Sequence, residues 1–330
     1  MLRLLLLLLV VTTAAHAAPD DAPQTIEIRA LRNPVDKSYR KMVKGMALFQ
    51  QRHAMAPQAT LRYKLLPRKP GTDIDDIRLH VIGRSVDLPV KVAADHTFTL
   101  ERFQKALDED ALVRSERRAQ TMTWRAEIRT PGLPPDTRRL GDLRLECQVG
   151  MEAGLVSHYP LGLETLLAWM LDTPDFCNKA YTPYLFFADQ PLFGVTLTAG
   201  ERKERLSVGN LYAGIAQGRT KKSDLPYCDC EALLDRAYTL PLGDRSWPDD
   251  TLVTLEPMAA PSQADEASAA NDAILVGSTK PEVASSYGRA AVVHFDSGFE
   301  VWAYQYAGTE FILLFDPSGR VAKTRVRAQG

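Results

Sequence analysis

Four cysteines, Cys147, Cys177, Cys228 and Cys230, have the most chemistry to offer in this 330-residue chain. An even count permits two disulfides with three possible pairings. Bridging Cys228 directly to Cys230 would close a small strained ring, so each of that pair is expected to join Cys147 or Cys177. The rival arrangement is a metal site built from Cys177, Cys228, Cys230 and a histidine. Cys-x-Cys lacks the two-residue spacing common in structural zinc sites, and no metal or cofactor is expected. The histidines His53, His80, His96, His158 and His294 are scattered without ligand spacing. Ser38-Tyr39-Arg40-Lys41 matches Ser-x-x-Lys, where a lysine can activate a serine, but its companion motifs are missing. Val276-Gly277-Ser278-Thr279-Lys280 lacks the first glycine and the Gly-Lys order of a phosphate loop. Asp249 and Asp250 are adjacent, so on a strand they point to opposite faces and share no site. A hydrolase would need a cleft gathering Asp249, Asp250, His158 and Cys230. Without such a cleft the chain is expected to be non-enzymatic.

The compartment follows from the first residues. Met1-Leu2-Arg3 is a short basic region, and Leu4 to Val11 is an apolar run too short to span a bilayer. Ala15-His16-Ala17 supplies small residues for cleavage, so residues 1–17 are expected to be a secretory signal peptide. An exported chain suits oxidised cysteines. The formal net charge is −1, which favours neither nucleic acid nor an anionic membrane. No later stretch is long and apolar enough for a membrane span, and no cysteine precedes Cys147 to carry a lipid anchor.

The elements that would position these groups can be read from periodicity. Tyr39, Met42, Val43, Met46 and Phe49 fall on one face of a helix beginning near Asp36. Strands are expected over 61–66, 77–82, 88–92, 96–100, 121–128 and 143–149, with a helix from Leu100 to Arg118 between them. In the middle segment a buried helix is expected at Leu163–Leu171. Strands are expected at 185–188, 193–199, 205–208 and 251–256, and helix at 231–237. Met258 to Ala270, rich in Ala, Ser, Pro and Gln, reads as a linker.

The last stretch is the most patterned. Ser262 can cap an Ala-rich helix through Asn271 that stops at Gly277. Thr279-Lys280-Pro281-Glu282 is a capping box with proline in the first turn, and Gly288 ends that second helix. Strands follow at 291–296, 299–306, 311–316 and 320–327, separated by Ser297-Gly298, Gly308 and Pro317-Ser318-Gly319. Strict alternation puts Phe299, Val301 and Ala303 on one face, and Glu300, Trp302, Tyr304 and Tyr306 on the other. Lys323, Arg325 and Arg327 make the last strand basic, a usual guard on a sheet edge.

In Gly277-Ser278-Thr279-Lys280-Pro281-Glu282-Val283, Gly288 and Trp302-Ala303-Tyr304, the chain resembles the BamE/SmpA/OmlA family of outer-membrane assembly lipoproteins. The likeness covers about the last fifth of the chain. It implies an α+β module of two helices on a small antiparallel sheet that acts by binding other proteins. Members carry a lipidated cysteine after the signal peptide, which this chain lacks.

The expected fold is α+β and multidomain. Mainly β, sandwich-like domains at 24–150 and 151–257 are followed by the linker at 258–270 and the BamE-like module at 262–330. The expected function is that of a periplasmic protein binding other envelope proteins through Trp302, Tyr304, Tyr306, Lys323 and Arg325. Read structurally, the three aromatic residues cover the helices as core; read functionally, they are an exposed face. Inhibition of a secreted enzyme, through the related double-module fold of β-lactamase inhibitor proteins, is the alternative.

Overall fold

Alternating apolar residues in Leu143-Arg144-Leu145-Glu146-Cys147-Gln148-Val149 suggest a strand, but this stretch is helical. The computed structural model describes residues 34–68, 71–118, 121–156, 173–179, 184–219, 231–259 and 275–328. Within it, helix α3 (Leu140–Glu152) is buried at every position from Leu140 to Met151. Leu140, Leu143, Cys147 and Met151 face one apolar core, while Leu145, Val149 and Ala153 face another. Each set recurs at three- or four-residue spacing, as one side of a helix must. Because both sides are covered, the polar residues between them are buried as well, and the alternation has nothing to do with a β pleat.

The first core lies among α1 (Tyr39–Gln51), α3 and two antiparallel sheets. One sheet has the order β1 (Pro34–Ser38), β6 (Leu112–Arg118), β3 (Leu79–Ile82), β4 (Asp87–Val90). The other is β5 (Thr97–Phe98), β2 (Thr60–Pro67), β7 (Met122–Arg129). The expected face of α1 is the buried one: Tyr39, Met42, Val43 and Phe49 are buried and Met46 is half-buried. The helix expected from Leu100 to Arg118 is corrected. Only Gln104–Asp108 is helical, as α2, and Asp110 then takes a left-handed φ of 51°. The rest becomes β6, whose hydrogen bonds to both β1 and β3 override its helix-forming composition.

The second core packs the other side of α3 against β11 (Arg202–Arg205), β10 (Leu192–Ala199), β13 (Leu252–Pro257) and β8 (Thr137–Arg139), in that order. The short pair β9 (Phe186–Phe187) and β12 (Ala237–Tyr238) lies beside them. Glu231–Arg236, expected as helix, is a 3-10 segment. The expected domain boundary at 150/151 falls within α3, which contributes side chains to both cores.

Residues 275–328 form the helix α4 (Lys280–Tyr287) and a sheet in the order β14 (Ala291–His294), β15 (Glu300–Tyr306), β16 (Thr309–Phe315), β17 (Val321–Ala328). Glu282 accepts hydrogen bonds from the N–H and hydroxyl of Thr279, both at 2.8 Å, so the helix start expected from the capping box is present. The described residues all belong to one compact unit. The signal peptide, the helices expected at 163–171 and 262–271, and nearly all of the linker lie outside the described residues. The fold is thus mixed and mainly β, with few helices and many antiparallel sheets.

Candidate partner-binding surface

The sheet of residues 291–328 has two unlike faces, set by side-chain alternation. Val293, Val301, Ala303, Ile312 and Leu314 point into the second core. Trp302, Tyr304 and Phe311 point the other way, beside Val283, Leu313 and Phe315 under α4. This is the division expected for β15.

Trp302 lies at 4.8 Å from the Phe315 ring, and its indole N–H donates to Glu300. Lys280 and His294 also reach Glu300, at 2.6 and 2.7 Å. Burial by itself would raise the Glu300 pKa, but the bonds from Lys280 and Trp302, with His294 nearby, hold it below its ordinary value. Trp302 is therefore mostly a packing residue. Tyr304 is half-buried against Tyr287, with ring centroids 5.9 Å apart, and burial raises its phenol pKa. Tyr287 also meets Phe311 at 5.4 Å. Tyr306, the last residue of β15, is 83% exposed.

Lys323 and Arg325 do not join this surface, and their expected role as partner-binding residues is corrected. They sit on the opposite face, 2% and 1% exposed. Lys323 Nζ donates to Pro257 O at 2.6 Å and to Glu256 at 3.3 Å. Arg325 donates to Phe193 O at 3.1 Å and lies 3.8 Å from the fully buried Glu310. Burial lowers the pKa of both cations, opposed for Lys323 by Glu256 and for Arg325 by Tyr212 and Glu310. Glu310 in turn accepts from Val208 N at 3.0 Å. The sheet thus holds the rest of the chain with the charges expected to meet a partner. Alternation gives the two faces of a strand but not which face a preceding region will cover.

The surface also includes residues that the sequence reading did not single out. Tyr287, Val292 and Val326 are exposed. Tyr287 lies four residues after the buried Val283, hence on the same side of α4, and that spacing could have found it. Val326 sits opposite Phe311 in the β16–β17 ladder.

The other candidates disperse. Cys147 on α3 is joined to Cys177, with Cα atoms 6.0 Å apart. This corrects the expectation that each would bond Cys228 or Cys230, which lie outside the described residues, as does His158. The disulfide ties the 3-10 turn Pro174–Asn178 to α3. Asp249 pairs with Arg144 at 2.5 Å. Ser38 is the N-cap of α1, accepting from Lys41 N at 3.3 Å, which accounts for the Ser-x-x-Lys spacing. His80, His96 and His294 each pair with a carboxylate, and His53 Nε2 meets Ala59 O at 3.0 Å. Among the described residues no three His, Cys, Asp or Glu side chains could hold a metal ion, and no helix is long and apolar enough to cross a membrane. No family model, curated protein or solved structure matches this chain.

Proposed function

We propose that this is an exported, non-enzymatic protein of the periplasm that binds another envelope protein through its C-terminal sheet, in the manner implied by the resemblance to the BamE/SmpA/OmlA family. The observation that carries this reading is where apolar exposure falls. Of seven exposed large hydrophobic residues among those described, five (Val276, Tyr287, Val292, Tyr306 and Val326) lie between 275 and 328. That stretch also turns Glu310, Lys323 and Arg325 inward. Exposed aromatic and aliphatic groups concentrated in one stretch of chain, mostly on α4 and the strands of its sheet, support an interaction surface. Tyrosine suits it, since its ring buries area at low entropic cost while its hydroxyl stays wet.

The test is a single substitution rather than a truncation, because deleting the sheet would uncover the second core. In live cells, a photo-crosslinker at Tyr304 captures an envelope protein. Tyr306→Asp in the same chain abolishes that adduct while leaving the thermal midpoint unchanged. Capture that persists in the variant would remove the role given to this face.

A further inference from the structure

Every sheet edge is a row of unpaired backbone groups that can recruit a foreign strand, and proteins blunt such edges with proline, charge, bulges, shortness or cover. This chain does so repeatedly. At one sheet, β1 starts at Pro34 and carries a bulge between Pro34 and Asp36, and β4 has Pro89 in its middle. At the next, β11 reads Arg-Lys-Glu-Arg, and β8 is three residues long with Arg138 and Arg139. The two-residue β5, β9 and β12 are too short to template anything. The edge of β7 is capped from α3 and β8: Glu146 of α3 accepts from Ile128 N at 2.9 Å, and Arg138 of β8 donates to Ile128 O at 2.7 Å. At the start of β17, Val321 exchanges hydrogen bonds with Gly277 N and Ser278 O, and its basic side chains point inward.

The exception is β14. Ala291-Val292-Val293-His294 contains no proline, lysine, arginine or bulge, and pairs only with β15. Its hydrogen-bonding phase can be fixed. Phe295 N donates to Phe299 O at 3.1 Å, which makes 295 and 299 a hydrogen-bonded pair. Pairs alternate along an antiparallel ladder, so Val293 and Ala291 bond β15, while the N–H and C=O of Val292 and His294 point outward. Among the described residues nothing bonds those outward groups. Ala291, Val292 and His294 are exposed. Arg289, just before the strand, is exposed and has no acidic partner among the described residues.

We propose that the free edge of β14 receives an extended segment of a partner protein as a fifth strand, pairing with the outward backbone groups of Val292 and His294. The incoming strand is apolar at the position beside Val292 and carries an acidic residue opposite Arg289. A second copy of this chain is the poorer occupant. A four-residue edge offers far less than the ~800 Å² per partner of a stable dimer interface, whereas an extended segment gains affinity from main-chain bonds. The proposal rests on the reading of the C-terminal sheet as the partner-binding element, and it names the mode of binding.

The probe is a soluble octapeptide, Glu-Val-Thr-Val-Thr-Val-Thr-Glu, added to the full mature chain and followed by residue-level amide exchange. The expected result is that Val292 and His294 amides exchange at least ~10-fold more slowly with peptide, as newly bonded amides do. Val292→Pro removes one outward donor without touching the β15 ladder. It should weaken the peptide by about fivefold or more, the worth of a lost hydrogen bond, while Val292→Thr binds as wild type and controls for folding. Protection confined to Tyr304–Tyr306, no protection at all, undiminished binding by Val292→Pro, or sedimentation showing self-association through β14 would each overturn the proposal. A peptide that binds as expected in a chain that captures no envelope protein would instead overturn the functional reading and leave the edge assignment standing.

Discussion

Helix α3 and the C-terminal sheet use buried charge in contrasting ways. In α3, Asp142, Arg144, Glu146 and Gln148 lie inside the molecule, each satisfied by a different strand or loop. Arg144 alone donates to Leu242 O, Asp244 O, Trp247 O and Asp249. These groups fix loops around a helix that has no exposed side. In the sheet, Lys323, Arg325 and Glu310 are buried on the face toward the second core, while the other face carries the aromatic residues and one buried acid, Glu300. Buried charges are poor sources of net stability but strict about geometry. One region spends them on internal architecture, and the other on turning a particular face outward.

The comparison can be broken first at α3. Arg144→Ala should cost about 3–5 kcal/mol, because it leaves the buried carbonyls of Leu242 and Trp247 and the part-buried one of Asp244 without their donor, whereas the Asp249 side chain, 36% exposed, can turn to water; chemical denaturation measures it. A loss under about 1 kcal/mol would mean that the loop from Leu242 to Asp249 is held by something else. Next is the disulfide between α3 and Pro174–Asn178. Replacing Cys147 and Cys177 by alanine opens a link across a sequence separation of 30, worth about 3.5 kcal/mol in the chain-entropy model. Reductant should lower the midpoint of the native chain but not of the double variant.

At the sheet, Glu310→Ala should cost about 2–3 kcal/mol by leaving Val208 N unbonded and Arg325 without its nearest acid. Amide exchange should show β16 and β17 opening while α3 stays protected. If both regions open together, the sheet has no separate stability and the contrast drawn above is wrong. The smallest expected effect is that of pH at Glu300, whose folded pKa is depressed below the ordinary value of 4.5. A depressed carboxyl stabilises the fold above its unfolded pKa and loses that contribution as pH falls through the folded one. The gap in thermal midpoint between the native chain and Glu300→Gln should therefore be present at neutral pH and close as the pH falls through and below the ordinary carboxyl range.

The two regions differ as much in how they can be read. From Thr279 to Ala328 the capping box, the glycine turns and all four strands follow from local pattern. Hairpins with short turns pair neighbours in sequence, and one face of each strand differs in composition from the other. Helix α3 hides because it is covered on all sides, so no polar stripe reports its period, and its Leu-x-Leu-x-Cys-x-Val alternation imitates a strand. β6 hides for the opposite reason: Leu112-Val113-Arg114-Ser115-Glu116-Arg117-Arg118 has helix-forming composition, and only pairing with distant β1 and β3 makes it a strand. On the surface, alternation showed that Tyr304 and Tyr306 share the face of Trp302, but not that Tyr304 is half-buried and Tyr306 exposed, nor that Lys323 and Arg325 are buried.

By itself the sequence determined the local elements of the last fifty residues, the buried face of α1 and the sidedness of β15, because each depends on spacing within a few residues. Tertiary structure alone decided that Cys147 meets Cys177, that α3 serves two cores, and that the basic residues of β17 turn inward to Glu256 and Phe193. Those outcomes depend on which distant surfaces meet, and charge or alternation in one segment carries no information about the face another segment will present to it.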